Sequence, residues 1–169
     1  MTLAEINALG RAAFIERLGS VVEHSPWIAE GAWLRHPFAS IDALHAAMVA
    51  TLMASPVETQ LAVIRAHPEL AGKAAIRGEM TADSKLEQGG AGLTQCSPRE
   101  FARLSALNRA YKAKFGFPFI IAVKGLDRAA IIERFAARLE HDRATEFAEA
   151  LAQIARISRL RLETMLESV

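Results

Sequence analysis

Four places in this sequence combine residue types that can do chemistry. His67 lies in Ile64-Arg-Ala-His67-Pro68-Glu69-Leu-Ala-Gly-Lys73, at the end of a predicted helix. The proline after it disfavours the α region, so the helix should stop there. A histidine at a helix C-terminus meets the negative end of the dipole, which favours its protonated form. Such a group can donate a proton near neutral pH; the alternative is an ordinary capping histidine at the surface. Ser84, Glu87 and Gln88 fall three and four apart, so their side chains share a helical face. Hydroxyl, carboxylate and amide together offer donors and acceptors to a ligand rich in ureido or amide groups. The competing reading is a solvated helix face followed by the loop Gly89-Gly-Ala-Gly92.

Arg161 is singled out by periodicity. Phe147, Leu151, Ile154, Leu162 and Met165 form one stripe at ~100° per residue, and Arg161 falls about 40° from Phe147 and Met165 within it. Arg156 and Arg159 fall on the opposite side. An inward guanidinium needs a partner, because an unpaired buried charge is costly. That partner is either a protein carboxylate or a ligand. The fourth place is Phe115–Gly125, where apolar and β-branched residues bounded by glycines read as extended chain. No second strand is available to pair with it. Its backbone amides and carbonyls around Phe119–Val123 must find side chains, water or a ligand.

The elements that would position these residues are helices. Thr2-Leu-Ala-Glu5, Ser55-Pro-Val-Glu58 and Ser97-Pro-Arg-Glu100 fit the capping box, in which the hydroxyl accepts from the N3 amide and the glutamate reaches back. Proline at N1 suits two of these starts. Ser25-Pro26 and Ser40 are weaker ones. The pattern predicts helices over 3–8, 11–18, 26–35, 41–54, 56–66, 82–89, 98–115, 128–139 and 143–167. Residues 68–81 and 89–92 are read as connections. The fold class expected is all-α, a single compact domain over 1–169 with eight or nine helices and one buried extended segment, 115–125.

Bulk properties narrow the function. The 169 residues carry twenty basic and nineteen acidic side chains, and half the chain is apolar. That suits a folded domain with a real core and leaves no basic, aromatic-interleaved run for nucleic acid. No apolar stretch is long enough to span a bilayer, so no membrane partner is expected. One cysteine, Cys96, excludes an internal disulfide and points to a reducing compartment. Its place before the helix start at Ser97-Pro98 could lower the thiol pKa, but it is read as incidental. The five histidines show no zinc-ligand spacing. His141 is placed at a cap or the surface, and Trp27 and Trp33 in packing. The amphipathic N-terminus is not a signal sequence and the C-terminus is not a peroxisomal address, which makes the cytoplasm the expected location.

Taken in order, His67-Pro-Glu-Leu-Ala-Gly-Lys73, Ser84-Lys85-Leu86-Glu87-Gln88-Gly-Gly-Ala-Gly-Leu93, and Phe101…Leu107-Asn108…Tyr111…Lys114-Phe-Gly-Phe-Pro-Phe119-Ile120-Ile121-Ala122-Val123 form a combination more specific than any one motif. The chain resembles the 2-oxo-4-hydroxy-4-carboxy-5-ureidoimidazoline (OHCU) decarboxylases, from Phe14 to the last helix. The resemblance implies an all-α enzyme without metal or organic cofactor, commonly a homodimer, acting on a small ureidoimidazoline carboxylate. It implies that the position of His67 is the proton donor; the chemistry of the reaction would then have His67 handle the hydroxyl or donate the proton, with Glu87 as its electrostatic partner or the alternative donor. It also implies that Pro68, Ser84, Lys85, Leu86, Gln88, the backbone of Phe119, Ile120, Ile121, Ala122 and Val123, and an arginine of the last helix line the substrate site. Of Arg159 and Arg161, the inward-facing argument selects Arg161.

Overall fold

Capping chemistry sets the helix starts. In the computed structural model, which describes residues 1–72 and 80–167, α1 (Leu3–Ala8) opens with Thr2 accepting from Glu5 N while the Glu5 carboxylate accepts from Thr2 N. The same reciprocal pair, Ser97 and Glu100, opens α7 (Pro98–Phe115), with proline at its first position. Ser40 caps α4 (Ile41–Met53) through Ala43 N. At the third expected box the bonds differ. The helix α5 (Val57–Ala66) begins one residue later than expected, and the Ser55 hydroxyl donates to Leu52 O instead. Gln60 joins it there: its amide donates to Met53 O and Ser55 O, both at 3.1 Å, and so closes the end of α4. The remaining helices are α2 (Arg11–Leu18), α3 (Pro26–Trp33), α6 (Ala82–Gly90), α8 (Arg128–Arg138) and α9 (Arg143–Glu167), with a 3₁₀ turn at Leu93–Gln95. Among the described residues there is no strand. No single helix among them is long and apolar enough to cross a membrane.

By its contacts the chain divides into two compact units, residues 1–66 with 154–169, and residues 67–153. In the first, α2, α3 and α4 pack in sequence around Phe14, Leu18, Ile28, Leu44 and Met48. Gly31 is where α3 comes closest to α4: a Cβ there would lie 2.3 Å from Thr51 Cγ2. Trp33 is a packing residue, as expected, stacked on His36 at 4.1 Å and against Phe14 at 5.2 Å.

The second unit, residues 67–153, is built on α6, α7 and α8. Helix α7 ends at Gly116, whose φ of 78° belongs to the left-handed region that glycine adopts without strain. The chain then leaves the helix and runs through the buried Phe117–Val123 without regular structure. Aromatic rings hold it: Phe119 stacks on Phe135 at 3.8 Å, and Tyr111 touches Phe115, Phe117, Phe119 and Phe135. The expected connection 68–81 is described at 68–72 and 80–81. Residues 73–79, which include Lys73 of the His67 motif, lie outside the described residues.

Candidate active site

His67 follows directly on the last residue of α5 and is 6% exposed. Its burial sets aside the reading of a surface capping histidine. The segment after it is tied down from two sides. Gln88 on α6 accepts from Ala71 N at 2.9 Å and donates to Glu69 O at 3.3 Å and Met80 Sδ at 3.2 Å. Asn108 on α7 donates to Leu70 O at 2.9 Å. Ala71 sits at a φ of +48°, a conformation a β-carbon disfavours. The Gln88 bond to its amide holds it there.

The face expected on α6 is present. Ser84 and Gln88 are buried, Glu87 is half-buried, and Lys85 and Leu86 are exposed, Leu86 at 75%. Thr81 caps the helix by accepting from Ser84 N at 3.3 Å. A cavity of about 690 Å³ lies beside α6, walled by Lys85 and Gln88 with Ala71, Met80, Leu93 and Phe101. His67, Ser84 and Glu87 are not among its described walls. Cys96, read from the sequence as incidental, also lines it. Burial, and secondarily the Glu100 carboxylate, push the thiol above its ordinary pKa despite the helix start beside it.

Phe119, Ile120, Ile121, Ala122 and Val123 are all buried, as the apolar run implied. Two of their backbone groups are bonded to side chains that sequence reasoning missed. Arg138 Nη1 donates to Ile120 O at 2.6 Å, and Gln153 Oε1 accepts from Ala122 N at 2.9 Å. Arg138 is held in turn by Glu146, to which its Nε and Nη2 donate at 3.0 and 2.8 Å. Tyr111 donates to the same carboxylate, and His141 Nδ1 lies 2.8 Å from it. His141 is thus at the surface, as expected, but engaged. Burial alone would raise the Glu146 pKa; the hydrogen bonds from Arg138 and Tyr111 outweigh it and hold the carboxyl below its ordinary range. Burial and then the adjacent carboxylate drive the Tyr111 hydroxyl far above its own. Asn108 and Tyr111, three apart on one face of α7, therefore anchor both the segment after His67 and the cluster that holds Ile120.

A periodicity signal for these residues exists in the sequence. Ile131, Phe135 and Arg138 share a face at steps of four and three, as do Glu146, Ala150 and Ile154 at steps of four, and all six are buried. Arg161, found by that kind of arithmetic, is buried as expected, with Arg156 exposed. It donates through Nη1 to Glu23 Oε2 at 3.1 Å, so a protein carboxylate is among its partners. His67, Pro68, Ser84–Gln88 and Phe119–Val123 all belong to the unit 67–153, and Arg161 belongs to the other.

The chain thus combines, in an all-α fold, a buried histidine after a helix end, a polar helix face and a clamped run of backbone, residue types suited to a small-molecule enzyme. The comparisons identify which. The family model described as OHCU decarboxylase matches residues 7–163, and the chain belongs to that family. It is 39% identical to the 2-oxo-4-hydroxy-4-carboxy-5-ureidoimidazoline decarboxylase of Halalkalicoccus jeotgali, over 98% of this chain and 92% of that protein. It is 42% identical to the uric acid degradation bifunctional protein PucL of Bacillus subtilis over 95% of this chain, which spans 32% of that longer protein. Among solved structures it resembles a crystal structure of (S)-allantoin synthase, with a TM-score of 0.79 and 27% identity, over 97% of this chain and 54% of that one.

Proposed function

We propose that this protein decarboxylates 2-oxo-4-hydroxy-4-carboxy-5-ureidoimidazoline to (S)-allantoin in urate degradation, without metal or organic cofactor. The observation that carries the reading is the family match across residues 7–163, joined to a buried His67 at the end of α5. The substrate supplies its own electron sink, a ring C=N next to the carbon that bears hydroxyl and carboxylate. As the bond to the carboxylate breaks and CO2 leaves, its electron pair forms a ring C=C bond and the C=N pair moves to nitrogen, which takes a proton. The enol hydroxyl then gives up its proton as the ring carbonyl forms. The carbon bearing the ureido group receives one from a single face.

In this reading His67 handles the hydroxyl proton or delivers the one to carbon, and Glu87 is its electrostatic partner or the alternative donor. Ser84 and Gln88 grip the ureido group, with Pro68, Lys85 and Leu86 beside them. Gln88 also fixes the chain just beyond His67 through Ala71 N and Glu69 O. The backbone of Phe119–Val123 meets amide groups of the ligand, and Arg161 meets a carbonyl or carboxylate oxygen. We propose further that the enzyme works as a homodimer, as the family resemblance implies, and in the cytoplasm, the reducing compartment that its single cysteine suits. The test is loss of the substrate, generated from urate with urate oxidase and hydroxyisourate hydrolase, with and without the protein. Wild-type protein should accelerate it, and His67→Asn should abolish most of the acceleration. Wild-type turnover in His67→Asn would remove the histidine from the acid role. Spontaneous decay with folded wild-type protein would remove the substrate.

A further inference from the structure

Within residues 67–153 the two bonds to the Phe119–Val123 backbone do more than bury it. A peptide unit is planar and trans, so its C=O and N–H point in opposite directions. Ile120 O, turned to Arg138 Nη1 at 2.6 Å, shares its peptide plane with the N–H of Ile121. Ala122 N, turned to Gln153 Oε1 at 2.9 Å, shares its plane with the C=O of Ile121. Fixing one group in each plane fixes the other. The Ile121 N–H is aimed away from Arg138 and the Ile121 C=O away from Gln153. Neither Ile121 group carries a hydrogen bond among the described residues.

Both clamps are themselves held. The Arg138 guanidinium lies over the Phe119 ring, 4.4 Å from its centroid, and donates twice to the fully buried Glu146. Tyr111 donates to that carboxylate as well. Gln153 is oriented by its own Nε2, which donates to Glu149 Oε1 at 2.7 Å. From these bonds we infer that Arg138 and Gln153 are positioning residues that aim the donor and acceptor of Ile121 as a pair, the complement of a ligand's amide or ureido edge. The inference rests on the proposed function in placing the substrate at this backbone, but the aiming of Ile121 does not depend on it.

The test compares Gln153→Leu, the exchanged pair Gln153→Glu/Glu149→Gln and the double variant Arg138→Met/Glu146→Leu with wild type, each shown folded by circular dichroism. Arg143→Ala is the control, because Arg143 makes an arginine–carbonyl contact of the same type to Phe115, outside the segment. Turnover and residue-resolved amide exchange are both measured. Gln153→Leu and the double variant should raise KM about 10-fold or more, by loosening groups that must be held near their bound geometry. Their kcat should change less. The exchanged pair Gln153→Glu/Glu149→Gln, which keeps the acceptor for Ala122 N and lets the new amide at 149 donate to it, should stay near wild type, as should Arg143→Ala. A merely structural role would lower the active fraction and leave KM unchanged. Exchange at Ala122 should quicken about 10-fold or more in Gln153→Leu, whatever the activity. Unchanged exchange there, or wild-type KM in folded Gln153→Leu and double variant, would overturn the inference. Quickened exchange in a protein whose wild type has no decarboxylase activity would instead overturn the proposed function and leave the aiming of Ile121 standing.

Discussion

Replacing Glu146 by glutamine should be among the most damaging conservative changes in this protein. Glu146 has no exposed surface, and Arg138, on which it acts, is 8% exposed. The carboxylate accepts from Arg138 Nε and Nη2 and from Tyr111, and faces His141. Glutamine keeps the shape and one acceptor oxygen but removes the charge, which leaves a buried guanidinium without its carboxylate countercharge. Breaking a buried pair on one side costs about 3–5 kcal/mol. With an unfolding entropy near 2.1 cal/mol/K per residue, that is a fall of about 8–14 °C in Tm for a chain of this length. Removing both charges behaves differently. Arg138→Met/Glu146→Leu forfeits the attraction and the desolvation cost together, leaves the Tyr111 hydroxyl and Ile120 O to find other partners, and should cost about 1–3 kcal/mol, less than Glu146→Gln. Urea denaturation followed by circular dichroism, with calorimetry for Tm, measures all three proteins. The sign of the pH dependence is fixed by the depressed Glu146 pKa. Its contribution is fully present above the ordinary carboxyl value of 4.5 and is lost as pH falls through the lower folded value. The gap between wild type and Glu146→Gln should therefore narrow on acidification below about 4.5. A cost below about 1 kcal/mol for Glu146→Gln, or a double variant as unstable as the single, would refute the reasoning.

Other sites give independent tests. Gly31→Ala places a Cβ 2.3 Å from Thr51 Cγ2; it should cost about 1–3 kcal/mol in urea, and Thr51→Ser in the same chain should recover most of the loss. Ala71→Gly relieves a backbone at φ +48° and should raise stability by about 0.5–1 kcal/mol, read as a higher denaturation midpoint. Asn108→Leu removes the bond to Leu70 O but also the buried Asn108 Oδ1, which has no hydrogen-bond partner among the described residues. The stability loss should therefore stay near 1 kcal/mol, while turnover falls as the segment after His67 loosens.

Much of the fold was legible because helix starts are written in local chemistry. Thr2, Ser40 and Ser97 each cap the helix their neighbours announced. Ser55 matched the same pattern and did otherwise: its hydroxyl turns back to Leu52 O, and Gln60, five residues on, reaches across to the end of α4. Such a bond runs between elements and leaves no mark in a four-residue motif. Arg161 was legible because apolar neighbours define the inward direction of α9. Its partner Glu23 was not, since a distant carboxylate can be named only once the chain is folded. Arg138, Glu146 and Gln153 carry the backbone of Phe119–Val123, yet lie outside the motifs around His67 and Ser84–Gln88. Two of them sit on apolar helix faces where the arithmetic applied to Arg161 would have found them. Tyr111 and Asn108 fell inside a motif, but only the fold supplied their task of anchoring two segments from one helix face.

The most direct test of the central claim is the optical activity of the product when urate is oxidised in the presence of urate oxidase, hydroxyisourate hydrolase and this protein. The account predicts faster loss of the intermediate's circular dichroism and a persistent signal of (S)-allantoin, because the proton reaches carbon from one face. Racemic allantoin formed at the spontaneous rate, with the protein folded, would contradict it.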